Sequence, residues 1–191
     1  MEQAVQPVQP KEQGGCPALV AAMIGAWLAL LLAAGLNAGW LFSALMKAGL
    51  QFRSASSASL DSAETGRVMA GVLAQPGFVV VFLTGLVVGP LSALLLLRGV
   101  GPKRPGARRP VATAALLAFA GAVGLGQLWM ARGIAELALE RTEAMVSGDS
   151  ARADMARAAL DARHRNSETV YAAQVGMVAV AAVLLARRPR H

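Results

Sequence analysis

Long apolar runs alternate with polar, charged stretches along this chain. Four runs, residues 17–46, 77–97, 111–131 and 170–186, contain no charged side chain. A bilayer's hydrocarbon core is about 30 Å thick and is crossed by about 20 helical residues. Each run therefore predicts a membrane-spanning α-helix. The order predicts an all-α integral membrane protein, a four-transmembrane up-down-up-down helical bundle in one domain over 17–186. Residues 1–16 form a polar tail before it and residues 187–191 a basic end after it.

The segments between the runs add detail. The first run is overlong, about 43 Å at 1.5 Å per residue, so it tilts or emerges from the bilayer. Within it, Gly35 and Gly39 in "GLNAG" have the small-xxx-small spacing that lets helices approach closely. "DSAE" (Asp61, Glu64) has the spacing of a capping box. Val68, Met69, Val72 and Leu73 then recur on one face, which predicts a short interfacial helix ended by Pro76-Gly77. Gly89-Pro90 predicts a kink in the second span. The third run pairs Ala120 with Gly124 and Ala122 with Gly126, again a packing spacing, and continues without a breaker into "RGIAELALERTEAMV". There Arg132 and Glu136 stand at i, i+4. "SGDS" turns the chain at 147–150, with Asp149 or Ser150 able to cap the next helix. The third and fourth helices are thus expected to form a hairpin projecting several turns beyond the membrane.

Composition agrees: 55% of residues are hydrophobic and only 15% charged, a membrane class. The net charge of +7 matters through its placement. Lys11, the loop holding Arg98, Lys103, Arg104, Arg108 and Arg109, and the end holding Arg187, Arg188 and Arg190 share one side of the bundle, opposed only by Glu2 and Glu12. The other side balances nine basic against nine acidic residues. The dense loop at the helix ends, read by the positive-inside rule, places both termini in the cytoplasm and the hairpin outside. That loop is read as facing anionic lipid, not nucleic acid, since nothing aromatic or groove-sized accompanies it. Trp40, Trp129 and Tyr171 then fall at the outer boundary, as an aromatic belt should. The expected location is a multi-pass plasma membrane, the inner membrane of a bacterium. The tail lacks the cationic start and cleavage site of a signal peptide. Cys16 precedes its apolar run, where a lipoprotein cysteine would follow one.

No soluble-enzyme motif is present: no phosphate-binding glycine loop, His-Glu-x-x-His, Cys-x-x-Cys or serine nucleophile elbow. The candidate chemistry is a polar arc. His164, Ser167, Glu168, Tyr171 and Gln174 share one side of a helix, and Asn37 and Gln127 lie at the same outer end of other spans. Polar groups facing lipid would be unsatisfied, so these are expected to turn inward and bond across helices. Glue between helices explains Asn37, Gln127 and Gln174. The fourth run is 17 residues long, which draws Ser167 and Glu168 to the boundary and leaves His164 at headgroup level. There His164 caps the bundle, titrates or ligates a metal as one of several donors. With His164 and His191 the only histidines, a closed zinc site is excluded for this chain alone, while a single haem on His164 stays open. Met46, Met69, Met130, Met145 and Met155 are spread over separate elements and read as filling, not as a copper site. No cofactor is named by any of this.

The pieces "AGWLFSAL", "AETGRVMAGVLAQPGF", "RGIAEL" and "RHRNSETVYAAQ" together resemble the four-helix membrane family of unknown function that includes transmembrane protein 205 (domain of unknown function 4149). The resemblance runs from about residue 21 to residue 186. The family's His-x-x-Ser at the start of the fourth helix is matched by His164 and Ser167, its Phe-x-x-Leu by Phe42 and Leu45, and the glycine before the second helix by Gly66, with Arg67 beside it. A proline commonly stands three positions before that Phe; here Gly39 does. The resemblance implies the four-span fold, an association with metal-drug resistance, and likeness to copper-resistance and haem-related membrane proteins.

The leading functional expectation is a non-enzymatic membrane protein that handles a small solute or metal species at the outer mouth of the bundle. The alternative is an accessory or structural subunit that docks a partner through the hairpin; a haem-binding redox protein ranks third. Either of the first two calls for a homo-oligomer or a membrane-complex partner, because four helices enclose no broad pore alone.

Overall fold

The computed structural model describes residues 15–48, 62–98 and 108–187. Lys11, Asp61, Lys103, Arg104, Arg188, Arg190 and His191 lie outside them, as do the side chains of Cys16, Met46, Glu64, Arg67, Met69 and Arg108. The described residues form four helices and no strand: α1 (Gly15–Lys47), α2 (Ser62–Arg98), α3 (Arg108–Ser147) and α4 (Ser150–Ala186). All four are long and apolar enough to cross a membrane. At 1.5 Å per residue they run from about 50 to about 60 Å, well beyond one bilayer core.

Neighbouring helices pack in sequence, α1 on α2, α2 on α3 and α3 on α4, and α1 closes on α4 over a shorter length. The helix pairs α1/α3 and α2/α4 make no backbone approach. The α2–α3 seam is drawn tight by glycine. A Cβ on Gly89 would stand 2.7 Å from the Leu117 carbonyl oxygen, and one on Gly121 would stand 2.9 Å from that of Gly85. A Cβ on Gly124 would meet the Phe82 carbonyl at 3.1 Å. As residue numbers fall on one helix they rise on the other, so α2 and α3 are antiparallel. Gly85 also receives the Trp27 ring from α1. The core around this seam is Ile24, Trp27, Leu31, Val81, Leu96, Leu117, Ala120 and Val178. Outward, Leu36, Val87, Phe119 and Leu125 are more than half exposed, a surface that calls for lipid and not water. The hydroxyls of Thr84, Thr113 and Thr169 donate to the carbonyl four residues earlier on their own helices, which keeps them satisfied.

Two expectations are corrected. Pro76-Gly77 does not end a separate interfacial helix: α2 is continuous from Ser62 through both Pro76 and Pro90. Proline removes one helical donor, and packing on both sides carries the helix through, with Ala74 buried before it and Phe78 stacked on Phe82 after it. Of the two fourfold pairs in α3, Ala120/Gly124 is buried, whereas Ala122/Gly126 faces outward, as does Gly39 of α1.

The turn between α3 and α4 rests on two residues. Gly148 has φ +77°, the left-handed region that favours glycine. Asp149 caps α4, its carboxylate accepting from the Arg152 amide at 3.0 Å. Near the turn Arg152 pairs with Glu140 across the two helices at 3.2 Å. The Arg132–Glu136 spacing closes no ion pair.

Candidate functional site

α4 presents its polar arc to the bundle interior one turn at a time. Ser167 comes first. Its hydroxyl donates to Gln127 Oε1 at 2.9 Å, and Gln127 Nε2 donates back to the Ser167 carbonyl at 3.0 Å. The pair is reciprocal, satisfies both ends of the Gln127 amide, and leaves Gln127 only 1% exposed. Two turns deeper, the fully buried Gln174 donates from Nε2 to the Ala120 carbonyl at 2.9 Å. These two bonds fix α3 and α4 as antiparallel, Gln127 level with Ser167 and Ala120 level with Gln174.

Tyr171 lies between them and fills the bundle. Its hydroxyl donates to the Leu31 carbonyl of α1, and its ring meets Phe78 and Phe82 of α2 edge-on, with centroids 5.5 and 6.4 Å away. Gly35 admits it: a Cβ there would sit 3.3 Å from the phenol oxygen. One side chain from α4 thus joins α1 and α2 across the interior. Tyr171, itself half-buried, thus plugs the space between α1, α2 and α4. Trp40 and Trp129 differ from it in being about two-thirds exposed.

Asn37 and Glu168 leave the expected cluster, for both are exposed. Glu168 is one residue past Ser167, a turn of about 100° that carries it off the buried face. Asn37 is level with Arg165, by the register that sets Leu31 beside Tyr171. On α4 that height already lies outside the uncharged run, among Arg163, Arg165 and Glu168. His164 is half-buried, one turn outward of Ser167, and makes no hydrogen bond or ion pair with a described residue. Among the described residues no three His, Cys, Asp or Glu side chains gather where a metal could be held. Arg98 and Arg109 are exposed at the opposite end of the bundle, flanking the undescribed part of the basic loop.

Three buried atoms in this interior have no hydrogen-bond partner among the described residues: Trp27 Nε1, Ser92 Oγ and Gln174 Oε1. Sequence reading passed over Trp27 and Ser92, since an isolated Trp or Ser in an apolar run carries no periodic signal. It also missed a cross-helix contact at the outer boundary. The Arg163 guanidinium lies over the Trp129 ring, 5.3 Å from its centroid. Gly133 clears its path, and its spacing of four from Trp129 was the available clue.

Beyond the apolar band, the hairpin tip carries an open depression of about 330 Å³ lined by Arg141, Met145, Gly148, Ser150, Ala153, Asp154 and Arg157. Burial, and then the neighbouring Arg157, hold the Arg141 guanidinium below its ordinary pKa. Leu139, Val146 and Met155 on the same projecting segment are about 60% exposed or more.

Comparison with known proteins finds no family model, no curated protein and no solved structure that matches the chain. The geometry alone bears on function.

Proposed function

We propose that the chain is a non-enzymatic multi-pass membrane protein, a structural or accessory subunit whose hairpin docks a partner outside the bilayer. The bundle is read as up-down-up-down, inserted in a bacterial inner membrane with both termini cytoplasmic. The observation that carries this reading is the exposure of Leu139, Val146 and Met155 on the part of α3 and α4 that stands beyond the apolar band. Lipid does not cover side chains at that height, and three large apolar groups left in water mark a surface for another protein. Leu139 and Val146 are seven residues apart on one face of α3, and the α3–α4 register sets Met155 level with Leu139. The resemblance to the family of transmembrane protein 205 supports the four-span fold and nothing about the partner.

The interior weighs against the solute-handling alternative. Tyr171 bridges α4 to α1 and α2, and the Gln127 amide, the Ser167 hydroxyl and the Gln174 Nε2 are spent on bonds between helices. His164 alone remains for a metal, and one imidazole is too small a donor set. A photo-crosslinking residue placed at 155 in native membranes is expected to capture one discrete protein, and Leu139→Glu is expected to abolish that capture. Lipid-facing position 125 serves as control. Equal capture from 125, or capture indifferent to Leu139→Glu, would sink the docking surface. Zinc or copper retention by the purified protein that disappears in His164→Ala would restore the metal reading.

A further inference from the structure

Where α3 leaves its apolar band, three residues build a site that the bundle does not use internally. The last uncharged stretch of α3 ends at Ala131, and Arg132 follows. Trp129 stands just inside this edge and Gly133 just outside it, four residues apart and so on one face of α3. Arg163 reaches across from α4 and lays its guanidinium between them. Its carbon Cζ is 5.3 Å from the Trp129 ring centroid, and a Cβ added to Gly133 would fall on its nitrogen Nη1. The guanidinium therefore lies on the α3 surface, and the glycine is what lets it lie there.

Packing fixes the cation but does not neutralise it. Among the described residues no carboxylate, carbonyl or amide oxygen accepts a hydrogen bond from Arg163, and none pairs with it as an ion; the ring of Trp129 is its described partner. A planar guanidinium held by a ring face keeps its N–H edge free, the edge that matches two oxygens of a phosphate. Trp129 is 68% exposed beside it, and so lies open to the acyl and glycerol region of an adjoining lipid. Arg132 and Arg165 flank the site at the same height and are exposed. The height is that of lipid headgroups, at the end of the bundle opposite the basic loop of Arg98 and Arg109.

We propose that Arg163, seated on Trp129 and over Gly133, binds the phosphodiester group of a phospholipid in the outer leaflet. The lipid phosphate accepts from the guanidinium edge while its glycerol and first methylenes cover the exposed indole. The lipid so held sits across the α3–α4 seam, directly outside the Gln127–Ser167 pair.

Native mass spectrometry of the full chain in detergent tests this, with phosphatidylglycerol titrated against a diacylglycerol of the same acyl chains. The wild type is expected to retain one phosphatidylglycerol and to ignore the diacylglycerol. Losing a charge-assisted pair weakens binding roughly tenfold, and Arg163→Gln is expected to show that loss while Arg157→Gln does not. Gly133→Ala is the sharper variant. It keeps every charge, the nearest atoms its Cβ meets belong to the movable end of Arg163, and by displacing the guanidinium it is expected to weaken retention as well. Should Arg163→Gln fail to fold by circular dichroism, Gly133→Ala decides alone. Unchanged retention in Gly133→Ala together with Arg163→Gln, or in Gly133→Ala where Arg163→Gln does not fold, would overturn the proposal. So would displacement of the lipid by millimolar inorganic phosphate, which would make the site one for a free anion.

Discussion

At the scale of the residue, Gln127 and Ser167 show how a membrane interior disposes of polar side chains. Each supplies what the other lacks: the hydroxyl donates to the amide oxygen, and the amide nitrogen donates to the serine's own carbonyl. Bonds of this kind between membrane helices average about 0.6 kcal/mol and reach about 1.7. The pair here is doubled and its Gln127 is almost wholly buried, so the upper part of that range applies. A double-mutant cycle with Gln127→Leu and Ser167→Ala, read by unfolding in mixed micelles, is expected to give a coupling of about 1 to 2 kcal/mol. A coupling near zero would mean that the two side chains merely coexist. The inward turn of Ser167, Tyr171 and Gln174 was legible from helical periodicity, because the three fall on the face of α4 that continues through the buried Val178 and Ala181. Glu168 and Asn37 were misplaced for different reasons. Glu168 lies about 100° round α4 from Ser167, off the inward face, whereas Asn37 was placed by its polarity alone, without the register of the neighbouring helix that sets its height.

At the scale of the element, the α2–α3 seam carries a sharper lesson about small residues. Ala120/Gly124 and Ala122/Gly126 have identical spacing in the same helix, yet one pair lies against α2 and the other faces outward. Spacing identifies a flat face; it does not say whether a partner lies on it. The prediction separates the two. Gly121→Ala would set a Cβ 2.9 Å from the Gly85 carbonyl and 3.1 Å from Pro90, so the helices must part, at a cost of about 1 to 3 kcal/mol. Gly126→Ala meets nothing within 4 Å and is expected to be neutral or slightly stabilising through helix propensity. Thermal melts in detergent, followed by circular dichroism, compare the two directly, and equal melting temperatures would refute the close seam. The continuity of α2 through Pro76 was equally hidden. A Pro-Gly pair is a strong breaker locally, and only contacts from distant parts of the chain, such as Tyr171 against Phe78, show what outweighs it.

At the scale of the whole molecule, four long apolar helices were readable because the apolar runs are long and free of charge, and the unbroken course of α3 because no breaker separates the third run from "RGIAELALERTEAMV". The arrangement inside was less so, since the choice of Tyr171 as the plug depends on α1 and α2 meeting it with Leu31, Phe78 and Phe82. Orientation is open to a direct check. In a Cys16→Ser background, a cysteine replacing Gly148 at the hairpin tip is expected to react with an impermeant maleimide applied to intact cells. One replacing Pro105 is expected to react only after lysis. The opposite pattern would invert the bundle, and the outer-leaflet lipid site with it. The hairpin has a further consequence for how such a chain reaches that arrangement. From Arg132 to Arg165 it holds six basic and six acidic residues, a net charge of zero. Moving one elementary charge through 100 mV involves about 2.3 kcal/mol. A neutral hairpin does no net work against that field. With the proposed orientation, its transfer across the bilayer is expected to proceed alike in energised and de-energised membranes, the desolvation of its twelve charges, not the membrane voltage, setting the barrier to insertion.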